Sequence, residues 1–215
     1  MKILVFSDSH GRGKNIIKAI EDHSGLCDAV VFLGDGVNEM DYVRSTVRQV
    51  PDFPKPGIQF KDVSTLFKNP ACNEEMLNEL VRLYQDKGVT KVVGIESRGF
   101  IMGAMLAAKL GAGFVLCRKP GKLPGTTIKA SYAKEYGLDS IEIHSDAITS
   151  DDVVLIHDDL LATGGSMNAA YDLVQLFHPK DVFINFIIEL RIEGLKGREA
   201  LGEDKKVTSL LTITE

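Results

Sequence analysis

The chain has 215 residues, enough for one large domain or for one domain with an appendage. Hydrophobic residues make up 44% and charged residues 26%, close to the globular norm, which excludes a disordered or fibrous chain. The net charge of −5 excludes a broad basic footprint for nucleic acid, so any phosphate must be held by a local site.

Residues 3–6 form a short apolar run, too short for a signal-peptide core. Gly11 and Gly13 mark a turn, residues 15–23 have helical spacing, and residues 29–33 form a second apolar run closed by Gly34-Asp35-Gly36. This is one βαβ-like unit of the parallel type. Residues 38–50 read as an amphipathic helix, with Met40, Val43, Val47 and Val50 on one side. Pro51, Pro54, Pro56 and Gly57 then force an irregular stretch.

From Lys68 the pattern alternates. Helices are predicted over 72–87, 100–109 and 165–176, and strands over 91–95, 113–117, 153–156 and 182–188. Residues 120–137 read as a long Gly, Pro, Lys, Ser and Tyr loop, and 140–144 as an edge strand. Repeated strand–helix alternation predicts an α/β fold with a parallel twisted sheet. The most apolar stretch, 100–117, carries Lys109 and several glycines, so it reads as a buried helix and a buried strand, not a membrane span. The cysteines, Cys27, Cys72 and Cys117, form no CxxC or Cys/His cluster. That argues against a disulfide framework or structural zinc and predicts reduced thiols in a cytoplasmic protein.

The strongest motif is the strand 153–156 running into His157-Asp158-Asp159-Leu160-Leu161-Ala162-Thr163-Gly164-Gly165-Ser166. Two adjacent carboxylates precede a small-residue, hydroxyl-bearing loop that opens a helix. Backbone N–H groups there make an anion cradle, and the glycines let an anion approach closely. Carboxylates repel phosphate but suit sugar hydroxyls, so the pair of features predicts a sugar phosphate. The run resembles the phosphoribosyl-pyrophosphate motif of type I phosphoribosyltransferases. It is not a Walker P-loop, because no Gly-Lys-Ser/Thr follows.

Four further stretches make the chain similar, from about residue 42 to the end, to the adenine phosphoribosyltransferase family. They are Pro51 to Asp62, Gly94 to Phe100, Arg118 to Gly125 and Ser131 to Gly137. The resemblance implies conversion of adenine and 5-phosphoribosyl 1-pyrophosphate to AMP and pyrophosphate, with Mg²⁺, by a cytoplasmic homodimer with a small hood over residues 51–66. Carried over residue by residue, it implies pyrophosphate binding by Ser97, Arg98, Arg118, Lys119 and Lys122. Some of these cations would act across the dimer interface. It implies an adenine site with Phe60 and Leu160 on the two ring faces and Gln59 and Lys61 beside it. Ala162, Thr163, Gly164, Gly165 and Ser166 would hold phosphate, with Asp158 and Asp159 as catalytic carboxylates. Tyr132 would lie on a mobile loop over 123–136, and Glu135 would protonate the base at N7. Ser166 stands where threonine is usual, and His157, where an aliphatic residue is common, reads as a buried, hydrogen-bonded histidine.

Residues 1–36 resemble instead the opening of calcineurin-like metallophosphoesterases, with Asp8, His10 and Asp35 matching metal ligands. The rest of that family's ligand set is absent, so the segment reads as a vestigial appendage over 1–39 and the transferase domain as 40–215. Three other readings stay open: the same transfer to another purine, a non-enzymatic sensor of phosphoribosyl pyrophosphate, and a bifunctional phosphoesterase–transferase.

Overall fold

In the computed structural model, which describes residues 2–7, 22–23, 25–33, 39–134 and 137–214, the chain forms two compact units, Met1–Glu75 and Met76–Glu215. The division falls inside a helix.

In the smaller unit, β1 (Ile3–Ser7) and β2 (Ala29–Leu33) pair in parallel, as their matched apolar runs predict. Most of the helix expected between them lies outside the described residues. Helix α1 (Glu39–Thr46) is shorter than the spacing of Met40, Val43, Val47 and Val50 suggested. Ser45 and Thr46 both turn their hydroxyls back to the Tyr42 carbonyl oxygen, at 2.8 and 3.0 Å, a local competition that ends helices. The chain then enters β3 (Arg48–Pro51), which pairs antiparallel with β4 (Gln59–Asp62). Arg48 stands opposite Asp62 and is ion-paired with it. The short helix α2 (Ser64–Phe67) follows, and α3 (Pro70–Tyr84) spans the division between the units.

The larger unit carries β5 (Lys91–Ile95), α4 (Gly99–Leu110), β6 (Gly113–Cys117), β7 (Thr127–Lys134), β8 (Gly137–His144), β9 (Val153–Leu161), α5 (Gly165–Gln175), β10 (Asp181–Leu190), α6 (Gly197–Leu201) and β11 (Lys206–Ile213). Five of these strands make a wholly parallel sheet in the order β11-β10-β9-β5-β6. Strand side chains alternate faces. Val93, Ile95, Val154, Ile156, Ile184 and Phe186 join one core with Met167, Ala170, Leu173 and Val174 of α5 and Ile141 and Ile143 of β8. The opposite face receives α4, whose Gly103 lies 3.5 Å, measured from an added Cβ, from the His157 ring.

Two expectations change. The stretch 120–137 is not all loop, because Thr127–Lys134 pairs with Gly137–His144 as an antiparallel hairpin. Strand β6 is an edge strand with Leu116 36% exposed, so it is not the buried strand its apolar run suggested. No described helix is long and apolar enough to cross a membrane.

Candidate active site

From β5 the chain runs to β6 on one side of the sheet, then returns to β9 on the other. Loops leaving the two strands diverge at such a point and leave a crevice at their carboxyl ends. A cavity of about 340 Å³ lies there. One wall is Ile95, Glu96, Ser97 and Arg98, at the end of β5 and in the loop after it. The other runs from Asp158 to Met167, and Phe186 of β10 also lines it.

Helix α4 starts directly against β9. A Cβ on Gly99 would lie 2.7 Å from the His157 carbonyl oxygen and 3.1 Å from Asp158 Oδ1, so a side chain there would push the two walls apart. Arg98, just before that helix, donates from Nε to Asp159 Oδ2. Asp159 is 3% exposed and Arg98 about half exposed. Asp158 Oδ1 accepts the Asp159 amide at 2.9 Å. Burial first, and the neighbouring Asp159 carboxylate second, push the Asp158 carboxyl well above the usual carboxylate range. Two adjacent carboxylates thus differ: one is tied to a guanidinium, while the other keeps its proton more tightly.

Beyond them the chain turns through Gly164 at φ 80° to cap α5. That left-handed conformation strains any residue with a Cβ. The first turn of α5 contains no acidic residue, and Thr163 and Ser166 line the cavity beside it. The N–H groups of a helix N-terminus, the helix dipole and two hydroxyls make this corner fit for an anion.

The cation run sits at the rim. Arg118 donates to both Glu96 oxygens, at 3.2 and 3.3 Å, and the Lys119 amide donates to Oε2 at 3.0 Å. The Arg118 hydrogen bonds, chiefly, hold the Glu96 carboxyl below its ordinary range. Lys119 and Lys122 are exposed. Glu142, 1% exposed, accepts the Lys122 and Leu123 amides, both at 3.2 Å, and the Thr127 hydroxyl at 3.1 Å. It thereby ties this loop to the β7–β8 hairpin.

Under the floor of the cavity, fully buried His157 donates Nδ1–H to Asn185 Oδ1 at 3.0 Å. Asn185 Nδ2 donates to Thr208 Oγ1 at 2.9 Å, which lies 2.5 Å from the Tyr84 hydroxyl. Desolvation pushes the His157 pKa down to about 4, against the Asn185 bond and the Asp159 charge. His157 is therefore neutral and structural at physiological pH, the hydrogen-bonded reading of the sequence.

The structure thus brings Ser97, Arg98, Asp158, Asp159, Leu160, Ala162, Thr163, Gly164, Gly165 and Ser166 around one cavity. Arg118, Lys119 and Lys122 lie outside its lining. In the smaller unit, Phe60 makes an edge contact with Phe53, ring centres 5.1 Å apart, Lys61 is buried and Gln59 is exposed. Tyr132 lies on β7. Asp8, His10, Asp35 and Glu135 lie outside the described residues. Sequence reasoning missed Glu96, although it sits within the quoted Gly94–Phe100 motif, and missed Phe186 and Met167, whose only signal was apolar periodicity.

The model of the phosphoribosyl transferase domain matches residues 62–214. An adenine phosphoribosyltransferase of Phocaeicola vulgatus is 62% identical over 171 residues, 80% of this chain and 97% of that protein. The chain belongs to the adenine phosphoribosyltransferase family. Among solved structures, the adenine phosphoribosyltransferase of Rhodothermus marinus is 47% identical with a TM-score of 0.75, covering 81% of this chain and 98% of its own. The enzyme of Giardia lamblia, solved with 9-deazaadenine, is 40% identical with a TM-score of 0.76, covering 82% and 98%. These relatives share the parallel α/β architecture that the motifs predicted. The cavity between β5 and β9 gathers a helix N-terminus with two hydroxyls, two adjacent carboxylates and the Arg98 guanidinium within one unit.

Proposed function

We propose that the cavity between β5 and β9 transfers the phosphoribosyl group of 5-phosphoribosyl 1-pyrophosphate to adenine, giving AMP and pyrophosphate. The observation that carries this reading is the adjacency of Asp158 and Asp159 to the hydroxyl-bearing cradle 162–166. The cradle amides, Thr163 and Ser166 take the 5-phosphate. Asp158 and Asp159 accept the ribose hydroxyls, which aligns the anomeric carbon. Ser97 and Arg98 receive the pyrophosphate on the facing wall, and Arg118, Lys119 and Lys122 add positive charge at the rim. As the bond to pyrophosphate lengthens, charge builds on the leaving oxygens and on the ring oxygen; prepositioned donors stabilise the first without reorganising. The ribose-facing carboxylates stabilise the second.

Leu160 and Phe60 provide the apolar slabs for adenine, with Gln59 and Lys61 beside it. Glu135 is the proton-transfer group at N7, taking up the proton that adenine loses as N9 bonds to the anomeric carbon and returning it in the reverse direction, and Tyr132 rides the hairpin that excludes water. The donor set fits a Mg²⁺ that takes most of its oxygen ligands from the substrate. Carboxylate oxygens stand on the cavity wall, and no cluster of three or more candidate ligands exists among the described residues. When bound, Mg²⁺ neutralises the departing pyrophosphate.

The family resemblance supports a homodimer, and the free thiols of Cys27, Cys72 and Cys117 fit a cytoplasmic setting. Residues 1–39 stand as an appendage with a phosphoesterase-like motif, because the transferase motifs all lie after residue 50. The experiment is AMP synthesis by full-length protein and by a chain lacking residues 1–39, with and without Mg²⁺, alongside light scattering. Mg²⁺-dependent synthesis by a dimer in both forms is expected. Loss of synthesis on truncation at unchanged solubility would place the appendage in the active site. Full activity of a monomer would remove the dimer.

A further inference from the structure

The cradle has a second support besides its own helix. Helix α6 is packed directly behind it. A Cβ on Gly197 would lie 2.5 Å from the Ala162 carbonyl oxygen, and one on Gly164 would lie 2.9 Å from the Gly197 carbonyl oxygen. In the first turn of α5, Asn168 donates Nδ2–H to the Ala200 carbonyl oxygen at 2.8 Å. The two backbones therefore approach closely at both glycines, with the Leu161 side chain also packed against Gly197. Backbone cannot yield by changing rotamer, so a shift of α6 reaches the cradle undamped.

Helix α6 has five residues and no side-chain cap, too short to hold itself. Arg198 fixes it. Its Nε donates to Glu189 Oε1 at 3.1 Å, its Nη2 to Glu189 Oε2, and its Nη1 to the Val207 carbonyl oxygen at 3.0 Å. Glu189, fully buried at the end of β10, also accepts Arg191 Nε at 2.8 Å and Ser209 Oγ at 3.1 Å. A buried carboxylate is tolerated only when so satisfied, and here its donors come from β11, from α6 and from the residue just beyond β10. Neither Glu189 nor Arg198 lines the cavity.

We infer that Glu189 and Arg198 are positioning residues for the phosphoribosyl donor, holding α6 so that the backbone of residues 162–166 keeps its phosphate-binding shape. This rests on the reading of residues 162–166 as the phosphate cradle. The pair acts on the donor and not on the base, because the chain of contacts ends at the cradle.

The test is steady-state kinetics with each substrate varied in turn, plus calorimetric titration with 5-phosphoribosyl 1-pyrophosphate. The variants are Arg198→Met, Arg198→Lys and Gly197→Ala. Arg198→Met and Gly197→Ala are expected to raise the donor KM and Kd roughly tenfold to a hundredfold, the scale of a misplaced binding group. The adenine KM and the kcat at saturation stay within about threefold. Arg198→Lys, which keeps one charged donor, falls between them and wild type. If Arg198→Met does not fold, the other two carry the test. A donor KM within about twofold of wild type in folded variants, or equal rises in both KM values, overturns the inference. Thr163→Ala and Ser166→Ala separate the two readings. If they raise the donor KM while the α6 variants do not, only the positioning role fails. If they leave it unmoved, the cradle reading fails and the inference with it.

Discussion

Arg98 donates from Nε to Asp159, so the loop after β5 and the end of β9 are joined where the sheet order reverses. Asp159 is almost fully buried, and a buried carboxylate stripped of its cation is costly. On the proposed function, removing Arg98 therefore damages both the wall assigned to pyrophosphate and the wall assigned to ribose. Arg98→Ala and Asp159→Asn are expected to be non-additive in kcat/KM for the donor. Because Arg98 is 49% exposed and screened by water, the coupling is expected near the low end for contacting residues, about 1 kcal/mol. A double-mutant cycle measures it, and losses that add within about 0.3 kcal/mol would show that the pair does not act as a unit.

Asp158 gives a trade between stability and activity. Its carboxyl is pushed up by burial and by Asp159, so the folded protein binds its proton more tightly than the unfolded chain does. Stability is then undiminished below the ordinary carboxylate range and falls as pH rises through the raised value. Asp158→Asn is neutral and keeps an oxygen for the Asp159 amide. It is expected to melt higher than wild type at pH 7.5, by about 2–4 °C per kcal/mol regained, and to lose most transferase activity. The melting gain is expected to vanish near pH 4. A variant that melts lower at pH 7.5 would contradict this.

His157 works in the opposite sense. Its pKa is lowered from 6.5 to about 4 by desolvation, so the unfolded chain binds the extra proton between those values. Stability is present above pH 6.5 and declines as pH falls toward 4, by on the order of 3 kcal/mol for one fully buried imidazole. Urea unfolding at pH 7.5 and pH 5 measures the decline. His157→Gln, which keeps an amide donor for Asn185, is expected to flatten it. An equal decline in the variant would assign the acid sensitivity elsewhere.

Glu135 is tested by kinetics. Glu135→Ala is expected to lower kcat by about 10²–10⁴-fold, the usual contribution of a proton-transfer group, while the adenine KM changes little. Turnover within a few-fold of wild type would take Glu135 out of the mechanism.

Much of the site was legible because the motif 153–166 couples a buried strand to a cradle whose geometry is local. The apolar run made β9, and Gly164 supplied the φ of 80° that starts α5. The β7–β8 hairpin was hidden because Pro124 and Gly125 drew the whole stretch toward a loop, although Ile128 and Ala130 alternate with Lys129 and Ser131. Strand β3 was hidden inside a helical spacing that the Arg48–Asp62 cross-strand pair overrides. The Glu189–Arg198 support was invisible for a different reason. Its ligands come from residues 189, 191, 198 and 209, and only the parallel pairing of β10 with β11 brings them together.

The most direct test of the central reading is kcat/KM for adenine, hypoxanthine, guanine and xanthine at saturating 5-phosphoribosyl 1-pyrophosphate and Mg²⁺, with purified full-length protein. The account predicts AMP as the product and a preference for adenine of at least about 10³-fold, since a site built to read a polar edge rejects bases that lack it. Comparable turnover of hypoxanthine or guanine, or no nucleotide formed from any of the four bases, would contradict it.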